Sequence, residues 1–248
     1  MSLVEEYHNQ YRWRSWEEVY DLLPDIEGKT ILDLGCAVGD QAADFVRRGA
    51  KVIGIDLNDD LLERARSRSL NNAQFIKSDF RSPLNLGDKV DGLWCSFAVA
   101  YVPDLRPVLN IWKKYLKNGG WIALTEIDHL FGHEPLSDHT ESMLEAYTRD
   151  VYRKGWYDFY MGRKLEDYLK KSGFRINKII TLEDREFSFN GPASEEIVDA
   201  WRKRFDRMRA LQEMCGSGYE EVRNEFLSCL QQDEHRSLCK VNCCVGTC

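Results

Sequence analysis

Between residues 30 and 127 the chain alternates short apolar runs with stretches whose apolar residues recur every three or four positions. The runs TILDL, KVIGI and VDGLWCSF predict strands over 30–34, 51–55 and 90–97, and WIALTEI predicts one over 121–127. A further strand begins at Ala73 and ends near Asp79. The intervening stretches read as helices. The one over 41–48 closes at Gly49, which suits the left-handed conformation past a helix end. A second carries Leu61, Leu62 and Ala65 on one side, with Asp59 or Asp60 as its cap. A third carries Val108, Ile111, Trp112, Tyr115 and Leu116 and stops at Asn118-Gly119-Gly120. Strands alternating with helices imply right-handed βαβ units, hence a doubly wound α/β fold whose mostly parallel sheet is covered on both faces.

The pattern continues with a helix over 138–154, carrying Met143, Tyr147 and Val151, and another over 164–172, ended by Gly173. Two apolar stretches, 174–182 and 185–189, flank a short acidic turn. They predict an antiparallel hairpin at one edge, bringing the sheet to seven strands. After Pro192 the character changes. Ser194, Glu195 and Glu196 open a helix, the acidic pair favouring its N-terminal dipole. Its apolar face is Ile197, Trp201, Phe205, Met208 and Leu211, and a second helix carries Val222, Phe226 and Leu230. These faces require burial against the rest of the chain or against a second subunit, so a homodimer is one expectation. The division that follows is an N-terminal helical lid over 1–28, a core over 29–190 with a helical insertion at about 131–162, and a helical extension with a cysteine-rich tail over 191–248.

Composition narrows the class. The 248 residues are 43% hydrophobic and carry a formal net charge of −7. That balance argues against a nucleic-acid partner, which selects basic surface. No apolar run approaches the roughly 20 residues of a membrane span, and the polar start lacks a secretory signal. A cytoplasmic protein with reduced thiols is expected. Cys239, Cys243, Cys244 and Cys248 are spaced C-x3-C-C-x3-C. Four thiolates can hold zinc, but adjacent cysteines and three-residue gaps depart from the C-x2-C knuckle. No metal site is expected there; the tail frays or forms a strand.

The chemistry concentrates where the first strand meets the first helix of the sheet. Asp33-Leu34-Gly35-Cys36-Ala37-Val38-Gly39-Asp40 is a strand end, a tight turn and a helix start. Gly35 and Gly39 allow unusual backbone angles and close approach to a ligand. A dinucleotide site would show G-x-G-x-x-G, and Asp40 would repel a pyrophosphate at the helix N-terminus. That disfavours the nicotinamide-dependent oxidoreductase alternative. Asp56 ends the second strand, where a carboxylate can accept from ribose hydroxyls.

Residues 33–39 resemble motif I of the class I S-adenosylmethionine-dependent methyltransferases, usually [DE]-x-G-x-G-x-G, with Ala37 in place of the middle glycine. The resemblance extends over about residues 7–190 and is nearest to stand-alone small-molecule methyltransferases. It implies S-adenosylmethionine as cofactor, with Asp33, Gly35, Cys36, Ala37 and Gly39 around its methionine and ribose portions. It implies Asp56 and Leu57 at the ribose, Asp79 accepting from the adenine amino group, Phe80 beside the ring, and Ser96 and Phe97 at the methionine end. The aromatic, basic segment 7–16 then folds over the cofactor. Arg12 or Arg14 would pair with its carboxylate, and Tyr11 or Trp13 would cover the sulfonium. The implied reaction is methyl transfer to a small molecule, with His129, just past the fifth strand, as candidate base. Trp156, Tyr157, Phe159 and Tyr160 either line the acceptor pocket or pack the lid. A non-catalytic binder of the same cofactor is the remaining alternative.

Overall fold

The computed structural model describes residues 3–248, and in it the alternating pattern becomes one seven-stranded sheet. Its strands are β1 (Thr30–Leu34), β2 (Lys51–Asp56), β3 (Ala73–Lys77), β4 (Val90–Ser96), β5 (Leu116–Asp128), β7 (Arg175–Leu182) and β9 (Lys240–Thr247). Two short strands, β6 (His133–Glu134) and β8 (Arg236–Ser237), pair separately. The sheet order is β3-β2-β1-β4-β5-β9-β7. Strands β1 to β5 are mutually parallel, and β9 runs antiparallel to both of its neighbours. The order reverses between β1 and β4, which opens a crevice at their carboxyl ends.

Helices cover both faces, and the period of two along each strand sorts the core into two layers. Trp94 belongs to one layer while Leu93 and Cys95 belong to the other. On the first face lie α2 (Trp16–Tyr20) and α3 (Asp40–Arg47), together with α8 (Glu195–Arg207), α9 (Arg209–Cys215) and α10 (Tyr219–Cys229). On the second lie α5 (Leu105–Lys113) and α7 (Leu165–Lys171). The helix α4 (Asp59–Ser67) is capped by Asn58, whose side chain accepts from Leu61 N at 3.1 Å, and not by Asp59 or Asp60.

The predicted edge hairpin is corrected. β7 pairs with β9, not with 185–189. Asp184 is the physical reason: its carboxylate accepts from the amides of Glu186 and Phe187, each at 2.8 Å, so the backbone after β7 is held in a local turn instead of a ladder. The cysteine-rich tail takes the place of the missing strand. Cys243 and Cys244 fall on opposite faces of β9, in different core layers, so they do not converge on one ion. Among the described residues no group of three or more candidate ligands is close enough to hold a metal, and no helix is long and apolar enough to cross a membrane. The boundary drawn at residue 191 therefore cuts through the core sheet.

The C-terminal helices bury their apolar faces within the chain. Ile197, Trp201, Phe205, Leu211, Val222, Phe226 and Leu230 are all buried, against residues that include Phe131 and Tyr147 of the insertion. The need for burial that suggested a second subunit is met internally. Val241, fully buried in β9, tests how far the sheet depends on the tail. Val241→Asp is expected to cost at least about 3 kcal/mol, because an unpaired charge is forced between β5 and β7. Thermal unfolding followed by circular dichroism checks this. An unchanged midpoint would show that β9 is not integral to the sheet.

Candidate active site

The site is built on the reversal after β1. Gly35, Ala37 and Gly39 all take left-handed backbone angles, with φ of +81°, +44° and +74°. A Cβ at Gly35 would stand 2.8 Å from the Cβ of Ala98, so only glycine fits. A Cβ at Gly39 would press on Ala65 and Phe75, each at 3.1 Å. Gly39 thus serves the packing beneath the loop, and it does not line the cavity above. The loop amides are fixed from β2. Gly35 N and Cys36 N donate to Ile55 O at 2.8 and 3.0 Å, and Ala37 N donates to Asp56 Oδ2 at 2.9 Å. Asp56 Oδ1 accepts from Asn58 N at 2.9 Å, so this carboxylate ties the two strand-end loops together.

Over these loops lies a cavity of about 420 Å³. Gly35, Cys36, Ala37, Asp56 and Leu57 form one side of it. Asp79, Phe80, Ser96 and Phe97 come from the ends of β3 and β4, and Tyr11 and Arg14 approach from the N-terminal segment. Ser96 Oγ accepts from Gln41 Nε2 at 2.8 Å. Phe80 meets Trp112 edge to face at 5.7 Å, and the indole N–H holds its carbonyl at 2.8 Å. Asp79 is gripped by Arg81 through Nε and Nη2, with the shorter contact at 2.7 Å, and these bonds lower its pKa. Asp33 lies in β1 with Gly54 and Trp94 as its strand partners, buried and outside the lining. Neither of its oxygens has a hydrogen-bond partner. Desolvation, with Asp56 nearby, pushes its pKa up to about 8.

The cavity is roofed by α1 (Leu3–Arg12) and the turn that follows. Two carboxylates of α3 hold this roof. Asp40 takes His8 at 3.1 Å and also Arg68, while Asp44 takes the hydroxyls of Tyr11 and Tyr20. Arg14 is not free for a ligand carboxylate. Its Nε is 2.8 Å from Asp184, its Nη2 donates to Glu186 at 3.2 Å, and its guanidinium lies 4.2 Å from the Phe97 ring centroid. Glu186 also pairs with Arg204, so the charge of Arg14 is already matched. Arg12 reaches Glu196 at 3.9 Å, and Trp13 is buried in the core.

His129 is the principal correction. It lines a separate cavity of about 210 Å³ with His133, Glu141 and Glu145. It takes a left-handed φ of +64°, and its ring stacks on Tyr160 at 5.2 Å. Burial and the neighbouring Arg163 lower its pKa. The chain leaving β5 packs beneath α6 (Asp138–Arg153), away from the crevice, so His129 is not brought to the loop residues. Of the aromatic group before α7, Phe159 enters the core and Trp156 is exposed. Tyr157 packs edge to face on Tyr101 at 4.8 Å. Tyr101 itself lines the cavity with Tyr7 and Gln10, both in the segment 7–16 expected over the cofactor, and with Arg81, which like Tyr101 no motif singles out. Tyr101 carried only one weak signal, its place just past β4.

Residues 6–179 match a family model described as a methyltransferase domain. The chain belongs to the class I S-adenosylmethionine-dependent methyltransferases. Over 108 residues it is 32% identical to the ubiquinone biosynthesis O-methyltransferase of Hydrogenovibrio crunogenus, covering 42% of this chain and 44% of that one. Over 162 residues it is 25% identical to the malonyl-[acyl-carrier protein] O-methyltransferase of Salmonella typhimurium, covering 62% and 64%. The chain thus spans less than two thirds of the length of these curated relatives. A putative methyltransferase from Bacillus halodurans shares the fold with a TM-score of 0.64 at 14% identity, over 94% of this chain and 97% of that one.

The residues present fit the methyl donor of this family. The unpartnered, buried Asp33 carboxyl lacks what a ligand cation supplies, because its ionised form is destabilised until a positive charge comes near. For an acid whose native pKa is raised, the protonated form favours the fold. That contribution is complete below about pH 4 and is lost as the pH rises to about 8. Asp33→Asn is therefore expected to be more stable than the parent at pH 8–9, by roughly 1–3 kcal/mol, with the gap closing toward pH 4. Unfolding curves across that range check it, and a constant gap would mean that Asp33 does not titrate there. Gly35→Ala combines a left-handed φ with the 2.8 Å clash and is expected to cost about 2 kcal/mol and to weaken binding of S-adenosylhomocysteine. Denaturant unfolding and calorimetry read the two effects separately.

Proposed function

We propose that this methyltransferase transfers the methyl group of S-adenosylmethionine to a small-molecule acceptor bound beneath α1. The observation that carries the reading is the order of side chains along the cavity floor. Carboxylates stand at the ends of β2 and β3, Asp56 and Asp79, and a third, Asp33, is buried in β1. The cofactor presents donors in a matching set: a ribose diol, an adenine amine and an ammonium. Asp56 would accept from the diol, and Asp79, sharing its lone pairs with Arg81, from the amine. Phe80 and Leu57 offer apolar surface for the base. The bound cofactor supplies an electrophilic methyl on a sulfonium. The chain contributes position and exclusion of water: Phe97, Trp16 and Tyr11 close the methionine end, and the clamps on Asp40 and Asp44 keep the roof in place.

One relative is named for ubiquinone biosynthesis, which supports a small acceptor. The buried cysteines, whose thiol pKa values burial raises, are consistent with a reducing compartment, and we infer a cytoplasmic protein. Calorimetric titration with S-adenosylmethionine, S-adenosylhomocysteine and NAD tests the cofactor assignment. The first two are expected to bind, and Asp56→Ala is expected to weaken them by roughly 1.5–3 kcal/mol, the range for hydrogen bonds to a charged group. Binding of NAD alone would overturn the assignment. Cofactor binding without release of S-adenosylhomocysteine in the presence of any acceptor would leave a binding protein, not an enzyme.

A further inference from the structure

The cavity is chemically two-ended. Its cofactor side is rich in acceptors, with Asp40, Asp56 and Asp79. The wall formed by α1 and the turn after β4 carries donors, Tyr7, Tyr101 and Gln10, set among the rings of Trp16 and Phe97. Beyond the effect of burial, Tyr101 raises the pKa of Tyr7, and both phenols lie in the field of Arg204 and Arg207, with Asp56 acting on Tyr7 and Glu126 on Tyr101 in the opposite sense. Those arginines are paired with Glu186 and Glu6, so they contribute oriented positive edges, not free charge.

We propose that the acceptor of this methyltransferase is a carboxylate, taken as its anion by the hydroxyls of Tyr7 and Tyr101 and converted to a methyl ester. The proposal rests on the methyltransferase reading and names the substrate class for the same site. Two features of the wall lead to it. The first is the pair of phenolic side chains on the wall that also carries Trp16 and Phe97. Burial pushes Tyr7 up to about 12 and raises Tyr101 as well, so both stay protonated and act as donors. The second is that each carboxylate of the lining is already held. Asp40 is held by His8 and Arg68, Asp56 by the amides of Ala37 and Asn58, and Asp79 by Arg81. Among the described lining residues none is a histidine or a lysine.

An alcohol, a phenol or an ammonium must lose a proton before or during methylation, and a thiol is largely protonated at neutral pH. A carboxylic acid, with a pKa near 4, arrives ionised. Its methylation forms one O–CH₃ bond and breaks one S–CH₃ bond. The electron pair for the new bond comes from the carboxylate oxygen, and the pair of the broken bond stays on sulfur. The negative and positive charges cancel and no proton moves. Two phenolic hydrogens on one carboxylate oxygen leave the other free to face the methyl group.

One other carboxylate can occupy these donors: that of the methyl donor's own amino-acid portion. The experiment separates the two. Purified protein is incubated with tritiated methyl S-adenosylmethionine and matched sets of aliphatic and aromatic carboxylic acids, phenols, amines and thiols. The label is expected on the acids alone, released as methanol by mild base. Tyr7→Phe and Tyr101→Phe are each expected to raise KM for the acid about tenfold, with kcat changed less and calorimetric binding of S-adenosylhomocysteine unchanged. Base-stable label on phenols, amines or thiols overturns the carboxylate and leaves the methyltransferase reading standing. Weakened S-adenosylhomocysteine binding in the two variants, with KM unchanged, assigns the hydroxyls to the donor's carboxylate and also overturns the proposal. No transfer to any set, with S-adenosylhomocysteine bound, overturns both.

Discussion

The hydrogen bond from Ala37 N to Asp56 is the contact on which the site depends. It joins the loop after β1 to the loop after β2 at the point where the sheet order reverses. Left-handed backbone at three positions in five residues is costly for any chain with side chains, and Ala37 bears that cost in this one. The two carbonyl contacts from Ile55 and the Asp56 carboxylate hold the loop in that shape. A ligand meeting Asp56 therefore meets a group that also shapes the loop, so recognition and loop geometry are not separable here.

The roof is held differently from the floor. The floor is a backbone ladder with glycines that fit one arrangement. The roof is fastened by side-chain charge: His8 and Arg68 on Asp40, Tyr11 and Tyr20 on Asp44, and Arg14 between Asp184 and Glu186. The last group extends to Arg204 of α8, so the N-terminal segment, the turn after β7 and the C-terminal helices meet in one buried set of matched charges. Such a set adds little net stability over apolar packing, but loss of one member leaves another charge stranded. That arrangement favours a single defined closure over a loose lid.

The sequence made legible what is local. TILDL, KVIGI and VDGLWCSF lie in a regular parallel sheet where pattern and burial agree, and Gly49 and Gly173 end their helices as their positions suggest. Residues 33–39 and Asp56 were readable because a tight turn admits few sequences. What stayed hidden depended on distant partners. The partner of β7 could not be read, because Asp184 diverts the adjacent strand into a turn and the true partner lies past three helices. Arg14 read as a free cation, because Asp184 and Glu186 stand some 170 positions away along the chain. His129 was placed by its distance from β5, while its burial is decided by α6 and Tyr160. Tyr7 and Tyr101 share no motif and meet only in the folded cavity.

The position of β9 also orders events in time. As the chain leaves the ribosome, β5 and β7 are made well before the strand that joins them. Until 240–247 emerges, both present unpaired backbone edges, a template for another nascent chain. The parallel half around the cofactor loops has all its strands by then, so the two halves of one sheet have different histories. Those open edges are where association between incomplete chains would begin, and pairing this distant in sequence slows refolding.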